Sequence, residues 1–281
     1  MKVTFSVTCT GGLFMRKILL LATGFVLCTA SAYAADLPSK APAMVAPAPA
    51  SWTGWYVGIN GGGVWGSTDP AMGQLLPDSF FAVANRQTVL ATGSTIGNNS
   101  GGLVGGQVGY LYQMGPAVLG LEAGFDWMGV NQSSNNTAVY PNNVPITFNW
   151  NLNAKADWLF TLLGRIGIDM GSWYPYVTGG LAVSELKYSA VFTDTFYPGN
   201  SSVSLSETKA GYALGAGVEW RWDAHWMVRG EYLYVAFDGL QGTSPVCTNA
   251  GACAPGTNQT TFTYDVKFRE NIGRVALSYK W

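Results

Sequence analysis

The sequence predicts an all-β chain, an eight-stranded antiparallel up-and-down transmembrane β-barrel. Three observations carry that expectation. Of 281 residues, 48% are hydrophobic, 11% are charged and 36 are Gly, where an ordinary soluble domain has roughly 25% charged residues and about 7% Gly. The longest apolar run, Ile18 to Cys28, falls short of the about 20 residues that a spanning helix needs. From Trp55 onward, apolar and polar residues alternate in eight separate stretches, the period of a strand with two unlike faces. The hydrophobic fraction excludes disorder. The balance of 15 basic and 16 acidic residues leaves no basic patch to neutralise phosphates, so nucleic acid is not an expected partner.

Residues 1–34 read as a secretory signal peptide: a positive Arg16-Lys17, the apolar run, then the small-x-small site Ala32-Tyr33-Ala34. Met15 is taken as its start, with residues 1–14 as an upstream extension. Cleavage after Ala34 removes Lys2, Arg16 and Lys17 and no acid, so the exported chain is mildly acidic. Residues 35–51, ADLPSKAPAMVAPAPAS, are dominated by Pro and Ala, cannot bury a core, and form a periplasmic tether. The barrel is expected over residues 52–281.

The first strand, Trp55 to Trp65, puts Trp55, Val57, Ile59 and Trp65 on one face and Tyr56, Asn60 and glycines on the other. The second, Leu103 to Gln113, sets Val104, Val108, Tyr110 and Tyr112 against Gln107 and Gln113. Leu119, Leu121, Phe125 and Trp127 oppose Glu122 and Asp126 in the third, Val118 to Met128. The fourth, Asp157 to Asp169, opposes Trp158, Phe160, Leu162, Ile166 and Ile168 to Thr161 and Arg165. The fifth alternates from Val177 to Ser184. Tyr212, Leu214, Val218 and Trp220 face away from Glu219 and Arg221 in the sixth, as Trp226, Val228, Tyr232 and Tyr234 do from Arg229 and Glu231 in the seventh. The eighth sets Val275, Leu277, Tyr279 and Trp281 against Glu270, Arg274 and Lys280. Charge at the bilayer midplane costs about 2–4 kcal/mol, so the apolar rows face lipid and the rows with Gly, Thr and ions face inward.

The connections alternate in length. Short ones fall at Gly115-Pro116, Met170 to Ser172 and Asp223 to His225, and long ones separate the other pairs, the first from Ser67 to Ser100. This is the asymmetry of outer-membrane barrels, with long extracellular loops opposite tight periplasmic turns. Trp55, Trp173, Trp220, Trp222, Trp226 and Trp281 then mark the periplasmic rim, and Trp65, Trp127 and Trp158 the outer rim. A secreted β-sandwich with an aromatic core is the competing architecture, disfavoured because eight polar rows would put charges in its interior.

The inward charges expected are Glu122, Asp126, Glu219, Glu231 and Glu270 against Arg165, Lys209, Arg221, Arg229 and Arg274. Five acids facing five bases argue for mutual pairing in a lumen that side chains fill. Conduction through a narrow pore is the other reading of the same charges. The chain's one histidine, His225, is expected in a turn, which removes the general base of a Ser-His-Asp triad and leaves no His–Cys metal site. No catalytic residue, metal site or cofactor is expected. Cys247 and Cys253, the cysteines left after the leader, are read as an intramolecular disulfide in an exported loop.

The leader ending in AYA followed by ADLPSKAP, the opening WTGWYVGINGGG, and then GGQVGYLYQ, LGLEAGFDW, GRIGI and YPYVTGGLA resemble the small porin-like outer-membrane proteins of rhizobia and related alphaproteobacteria, which are similar to the OmpA-type barrel. The resemblance runs from Met15 to Trp281 and rests on the order and spacing of these segments rather than on any single motif. It implies an abundant, antigenic surface protein of a Gram-negative cell. It also implies that Val275, Leu277, Tyr279 and Trp281 form the signal read by the barrel-assembly machinery. Some relatives are linked to haemin binding or host contact, but no residues matching such a site are found here. The expected partners are outer-membrane lipid and lipopolysaccharide and, during biogenesis, the barrel-assembly machinery, with a host or haemin ligand left open. Three functions remain open: a structural surface barrel, a small porin, and a ligand or host-surface binder acting through its loops.

Overall fold

The computed structural model describes residues 51–75, 81–195, 199–248 and 260–281, apart from the side chains of Cys247 and Thr248. The leader and the Pro/Ala-rich stretch to residue 50 lie outside the described residues, as does Cys253. The expected disulfide therefore lies outside them too.

Eight strands close into a barrel in sequence order: β1 Gly54–Leu75, β2 Asn98–Met114, β3 Ala117–Val139, β4 Thr147–Ile168, β5 Trp173–Asp194, β6 Gly199–Arg221, β7 Trp226–Thr248 and β8 Thr260–Lys280. Every neighbouring pair is antiparallel, and β8 returns to β1 in register from Tyr56↔Lys280 to Leu75↔Thr261. Closure leaves no sheet edge facing lipid, which is the condition for a β-structure to cross a bilayer. Three tight turns sit at the end that holds Trp281, here called the near end. Gly115 and Gly171 take positive φ there, a conformation open to Gly without steric cost. In the third turn the Asp223 carboxylate accepts the backbone N–H groups of His225 and Trp226 at 2.7 and 2.8 Å, which hold it below the usual carboxylate range.

The alternation extends much further than the lipid-facing rows. A strand of 23 residues covers roughly 55 Å of barrel axis at about 3.3 Å per residue and a tilt near 40°, twice the about 25 Å apolar band of such barrels. Expectation and structure part here. Three of the four connections expected as long loops are mostly strand, and the first is strand at both ends with a helix between. β1 runs on to Leu75 and β2 begins at Asn98, with helix α1, Val83–Gly93, between them; β3 and β4 are joined by residues 140–146 alone. The reason lies in the outward face. Beyond Trp127 it changes from apolar to Asn131, Ser133, Asn135 and Thr137 on β3, paired with Lys155, Asn153, Asn151 and Asn149 on β4. A reading keyed to lipid contact stops where lipid stops.

Two strands contain an extra residue. The buried row of β4 is even-numbered from Phe148 to Ala156 and odd-numbered from Leu159 to Arg165, and that of β7 switches from odd at Phe237 to even at Leu240. These β-bulges let one strand keep a single inward face while its register slips.

The interior glycines make room for large side chains. A Cβ on Gly109 meets the Tyr56 hydroxyl, and one on Gly217 meets Tyr176 Oη at 2.5 Å and Gly230 O at 2.9 Å. Gly217→Ala is therefore expected to push Tyr176 off its partner and lower stability by about 1–3 kcal/mol, the usual cost of overpacking. Urea unfolding in detergent micelles measures it.

Candidate functional site: the barrel interior

The interior is filled in three successive layers. The near-end layer is apolar: Trp52, Tyr56, Leu111, Val118, Tyr174, Tyr176 and Met227 pack as one buried cluster. Trp52 comes from the segment before β1 and is fully buried. Its indole lies 5.3 Å from the Tyr174 ring, its Nε1 donates to Asp169 Oδ1 at 2.8 Å, and the Arg221 guanidinium stacks over it at 4.3 Å. Burial pushes the Asp169 carboxyl up, but hydrogen bonds from Trp52, Gly171 and Gln113 outweigh this and hold it below its ordinary value. Lys280 donates to the carbonyls of Ser51 and Thr53 at 2.7 and 3.2 Å. The chain entering β1 is thus fastened across the near end.

The middle layer is ionic, and Glu122 is its hub. Its carboxylate lies 2.5 Å from Arg165, 2.7 Å from Arg229 and 3.5 Å from Arg274, and accepts the Tyr56 hydroxyl at 2.7 Å. Arg274 also reaches Glu231 at 2.5 Å and Asp126 at 3.0 Å. Glu231 accepts Tyr176 Oη at 2.5 Å, and the Arg165 guanidinium sits 4.8 Å from the Tyr176 ring. Glu219 is 3.7 Å from Arg165, and among the described residues neither of its carboxylate oxygens has a hydrogen-bond partner. Glu270 stands further along the barrel and accepts from Asn99 at 2.9 Å. These strands bring the groups together because their inward positions stand at neighbouring levels: Glu219 pairs with Arg229 and Glu231 with Arg274 across the wall, and Arg165 pairs with Gly120, two residues from Glu122.

Eight of the ten expected lumen charges are buried: Glu122, Asp126, Arg165, Glu219, Arg229, Glu231, Glu270 and Arg274. Three are not part of the network: Glu270, buried but standing apart with Asn99, and the two that are not buried. Arg221 lies at the near rim, donating to the carbonyls of Ser51 and Gly171 at 3.1 and 2.7 Å. Lys209 lies on the inward row of β6, but its side chain is partly exposed and pairs with Glu207 at 2.7 Å. The expected balance of five against five is corrected accordingly. The middle layer proper holds four carboxylates against three guanidinium groups, with phenol hydroxyls and amides satisfying part of the remainder.

The far layer is aromatic and is absent from the sequence expectations. Trp150, Phe148, Phe192, Phe262, Tyr188 and Tyr264 belong to the largest buried cluster. Trp150 lies 5.0 Å from Phe192 and 5.2 Å from Phe262, and its Nε1 donates to Val89 O of α1 at 3.0 Å. Helix α1 buries Asn85, Val89 and Gly93; Asn85 Nδ2 donates to Asn143 Oδ1 at 2.9 Å. A Cβ on Gly93 meets Trp150 at 2.8 Å, so the helix lies directly against the indole. The signal was present as an alternating row, Phe148, Trp150, Leu152, Ala154, but it lies beyond the lipid-facing stretch.

The outer surface carries the apolar rows as expected. Trp55, Trp173, Trp220, Trp222, Trp226 and Trp281 are exposed towards the near end, and Trp65 and Trp127 at the other edge of the band; Trp158 stacks on Phe125 at 5.9 Å. Val275, Leu277, Tyr279 and Trp281 project outward in one row. His225 lies in the near-end turn against Tyr279. Among the described residues, no group of three or more His, Cys, Asp or Glu is arranged to hold a metal ion.

A closed ring of eight antiparallel strands with an apolar outer band and a polar middle matches the outer membrane protein β-barrel domain family, whose model covers residues 20–269. The chain belongs to this family. It is 31% identical over 230 residues to the 31 kDa outer-membrane immunogenic protein of Brucella melitensis, covering 78% of this chain and 86% of that protein. It is 32% identical over 135 residues to a 22 kDa outer membrane protein of Rhizobium leguminosarum bv. viciae, covering 47% and 52%. Among solved structures it is similar to the outer membrane protease OmpT from Escherichia coli, with a TM-score of 0.43 and 8% identity over 82% of this chain and 98% of that one, a likeness too distant to bear on function. Membership of the family, like the relatives, puts the chain in the outer membrane and bears out the expected alphaproteobacterial kinship.

Proposed function

We propose that the chain is a non-enzymatic surface barrel whose lumen is closed to ions, with its near end in the periplasm and its far end presented at the cell surface. The observation that carries the reading is the three-layer filling of the interior: Trp52 at one end, the Glu122 network in the middle, Trp150 under α1 at the other. The relatives' names, outer-membrane immunogenic proteins, support surface presentation of the far end. The single histidine, held in a near-end turn, supports the absence of triad chemistry. The partners are the lipid and lipopolysaccharide around the barrel and, during biogenesis, the assembly machinery that reads the outward row Val275, Leu277, Tyr279 and Trp281.

Two measurements test it. Refolded protein in a planar bilayer is expected to show no steady conductance; a large stable current favours the small porin. Ala91→Cys, on the exposed side of α1, is expected to react with a membrane-impermeant maleimide on intact cells. Labelling only after the cells are opened reverses the orientation.

A further inference from the structure

The barrel wall has a seam. Between β6 and β7 the ladder runs from Arg221↔Met227 to Gly211↔Phe237, lapses, and resumes at Asn200↔Cys247. The other ladders among the described residues carry at most short irregularities. The lapse begins where β7 inserts its extra residue, at Asp238–Gly239. Beyond it, Glu207 and Lys209 sit on the inward row of β6 yet are partly exposed, so the wall there admits solvent. Side chains hold the far part of the seam. Ser201 Oγ lies 2.6 Å from Ser244 Oγ, which also bonds Ser202 O at 2.8 Å, and Leu205 fills the space at Gly242.

At the root of the seam lies an outward-opening cavity of about 510 Å³. Gly211, Ala236 and Gly239 give it a floor with almost no side chains, Tyr212 and Phe237 give it aromatic walls, and Lys267 and Arg269 of β8 stand along its edge. Its height on the barrel is fixed by its neighbours. Tyr212 and Tyr234 meet on the outer face at 6.4 Å, and Asn271, opposite Trp65, precedes Arg269 and Lys267 on the outward row of β8. The cavity therefore sits where the apolar band ends and the headgroup region begins. Asp238 also borders it, and Arg269 carries Asp69 at 2.8 Å. Lys267 is exposed and makes no ion pair among the described residues.

We propose that this cleft is a binding site for a phosphorylated sugar headgroup of the outer-leaflet glycolipid, the lipid A part of lipopolysaccharide. Its phosphate sits against the Lys267 ammonium and Arg269 guanidinium, and its sugar face against Tyr212 over the glycine floor. A cation beside an aromatic wall at the membrane boundary matches an anionic amphiphile. The volume suits a phosphosugar and leaves the acyl chains on the outer apolar face. The site rests on the proposed orientation, in which the far end meets the outer leaflet.

The test uses full-length refolded protein in micelles, where orientation plays no part, and reads binding of bisphosphorylated lipid A by native mass spectrometry. Lys267→Ala combined with Arg269→Ala is expected to weaken binding about tenfold or more, the scale of one lost charge-assisted hydrogen bond. Ala210→Trp, which fills the cleft without altering charge, is expected to do the same, and Lys267→Arg to retain binding. Phosphate-free lipid A should bind at least about tenfold more weakly, while millimolar inorganic phosphate should not displace the lipid. Heat-modifiable migration on gels reports that each variant is assembled. Equal binding of the phosphate-free lipid, or wild-type binding by both the double variant and Ala210→Trp, overturns the site. Displacement by inorganic phosphate reassigns it to a soluble anion and overturns the lipid proposal. Failure of the cell-surface maleimide labelling overturns the orientation instead, independently of these results.

Discussion

Glu122→Gln is expected to destabilise the barrel by about 3–5 kcal/mol, the cost of removing one partner from a buried ion pair. Arg165 and Arg274 retain Glu231 when Glu122 is neutralised. Arg229 does not: among the described residues its ion pair is with Glu122, through hydrogen bonds of 2.7 and 3.3 Å. A guanidinium cannot shed its proton to escape, so it stays charged and fully buried, served by one neutral amide oxygen. Glu219→Gln is the control. Glu219 lies 3.7 Å from Arg165, and among the described residues neither oxygen is hydrogen-bonded. Neutralising it relieves excess negative charge, and the expected change is within about 1 kcal/mol or stabilising. Both are read by urea titration of folded fraction in micelles. Equal losses in the two variants would mean that the network acts as diffuse charge balance and that Glu122 is no hub.

That asymmetry between two inward glutamates marks how far the sequence could be read. Alternation placed Glu122 and Glu219 on inward rows, because a strand's side-chain period is two and lipid excludes charge from the other face. It could not rank them, since the rank depends on strand register, and register fixes which inward position of β3 stands level with those of β4, β7 and β8. The same limit explains Lys209. Its parity is inward, but the β7 bulge and the lapse of the β6–β7 ladder open the wall beside it. A bulge of one residue leaves only a change of parity in the sequence, as from Phe237 to Leu240, and that is visible only once burial is known.

The far layer was missed for a different reason. Phe148, Trp150 and Leu152 alternate as cleanly as any stretch of the apolar band, but with the faces reversed: apolar inside, Asn149, Asn151 and Asn153 outside. In a membrane barrel the apolar row points to lipid; in a barrel segment standing in water it must point inward, because the solvent has changed. The switch from Leu162 outside to Trp150 inside occurs across the β4 bulge at residues 157–159. The position of that switch, more than any single motif, marks the edge of the membrane.

Trp150→Ala tests whether this outer segment is a folded core in its own right. The indole is fully buried, packs on Phe192 and Phe262, and donates to the backbone of α1 at Val89. Removal is expected to cost about 3–5 kcal/mol, as for other large-to-small aromatic core changes. The loss should be local. The membrane-level ladders do not involve Trp150, so insertion and heat-modifiable migration should persist while α1 loosens. Trypsin cleavage at Arg86 within α1 is expected to quicken about a hundredfold or more, the least that a destabilisation of this size implies once local opening governs cutting. Trp150→Phe keeps a ring but loses the N–H donor, and should fall between. Conductance should stay low in Trp150→Ala alone, because the ionic layer and the Trp52 layer still stand in series behind it. Current is expected only when Trp52→Ala and Arg165→Ala are added. A steady current in the single variant would show that the middle layer passes water and ions freely, leaving the aromatic layer under α1 as the gate.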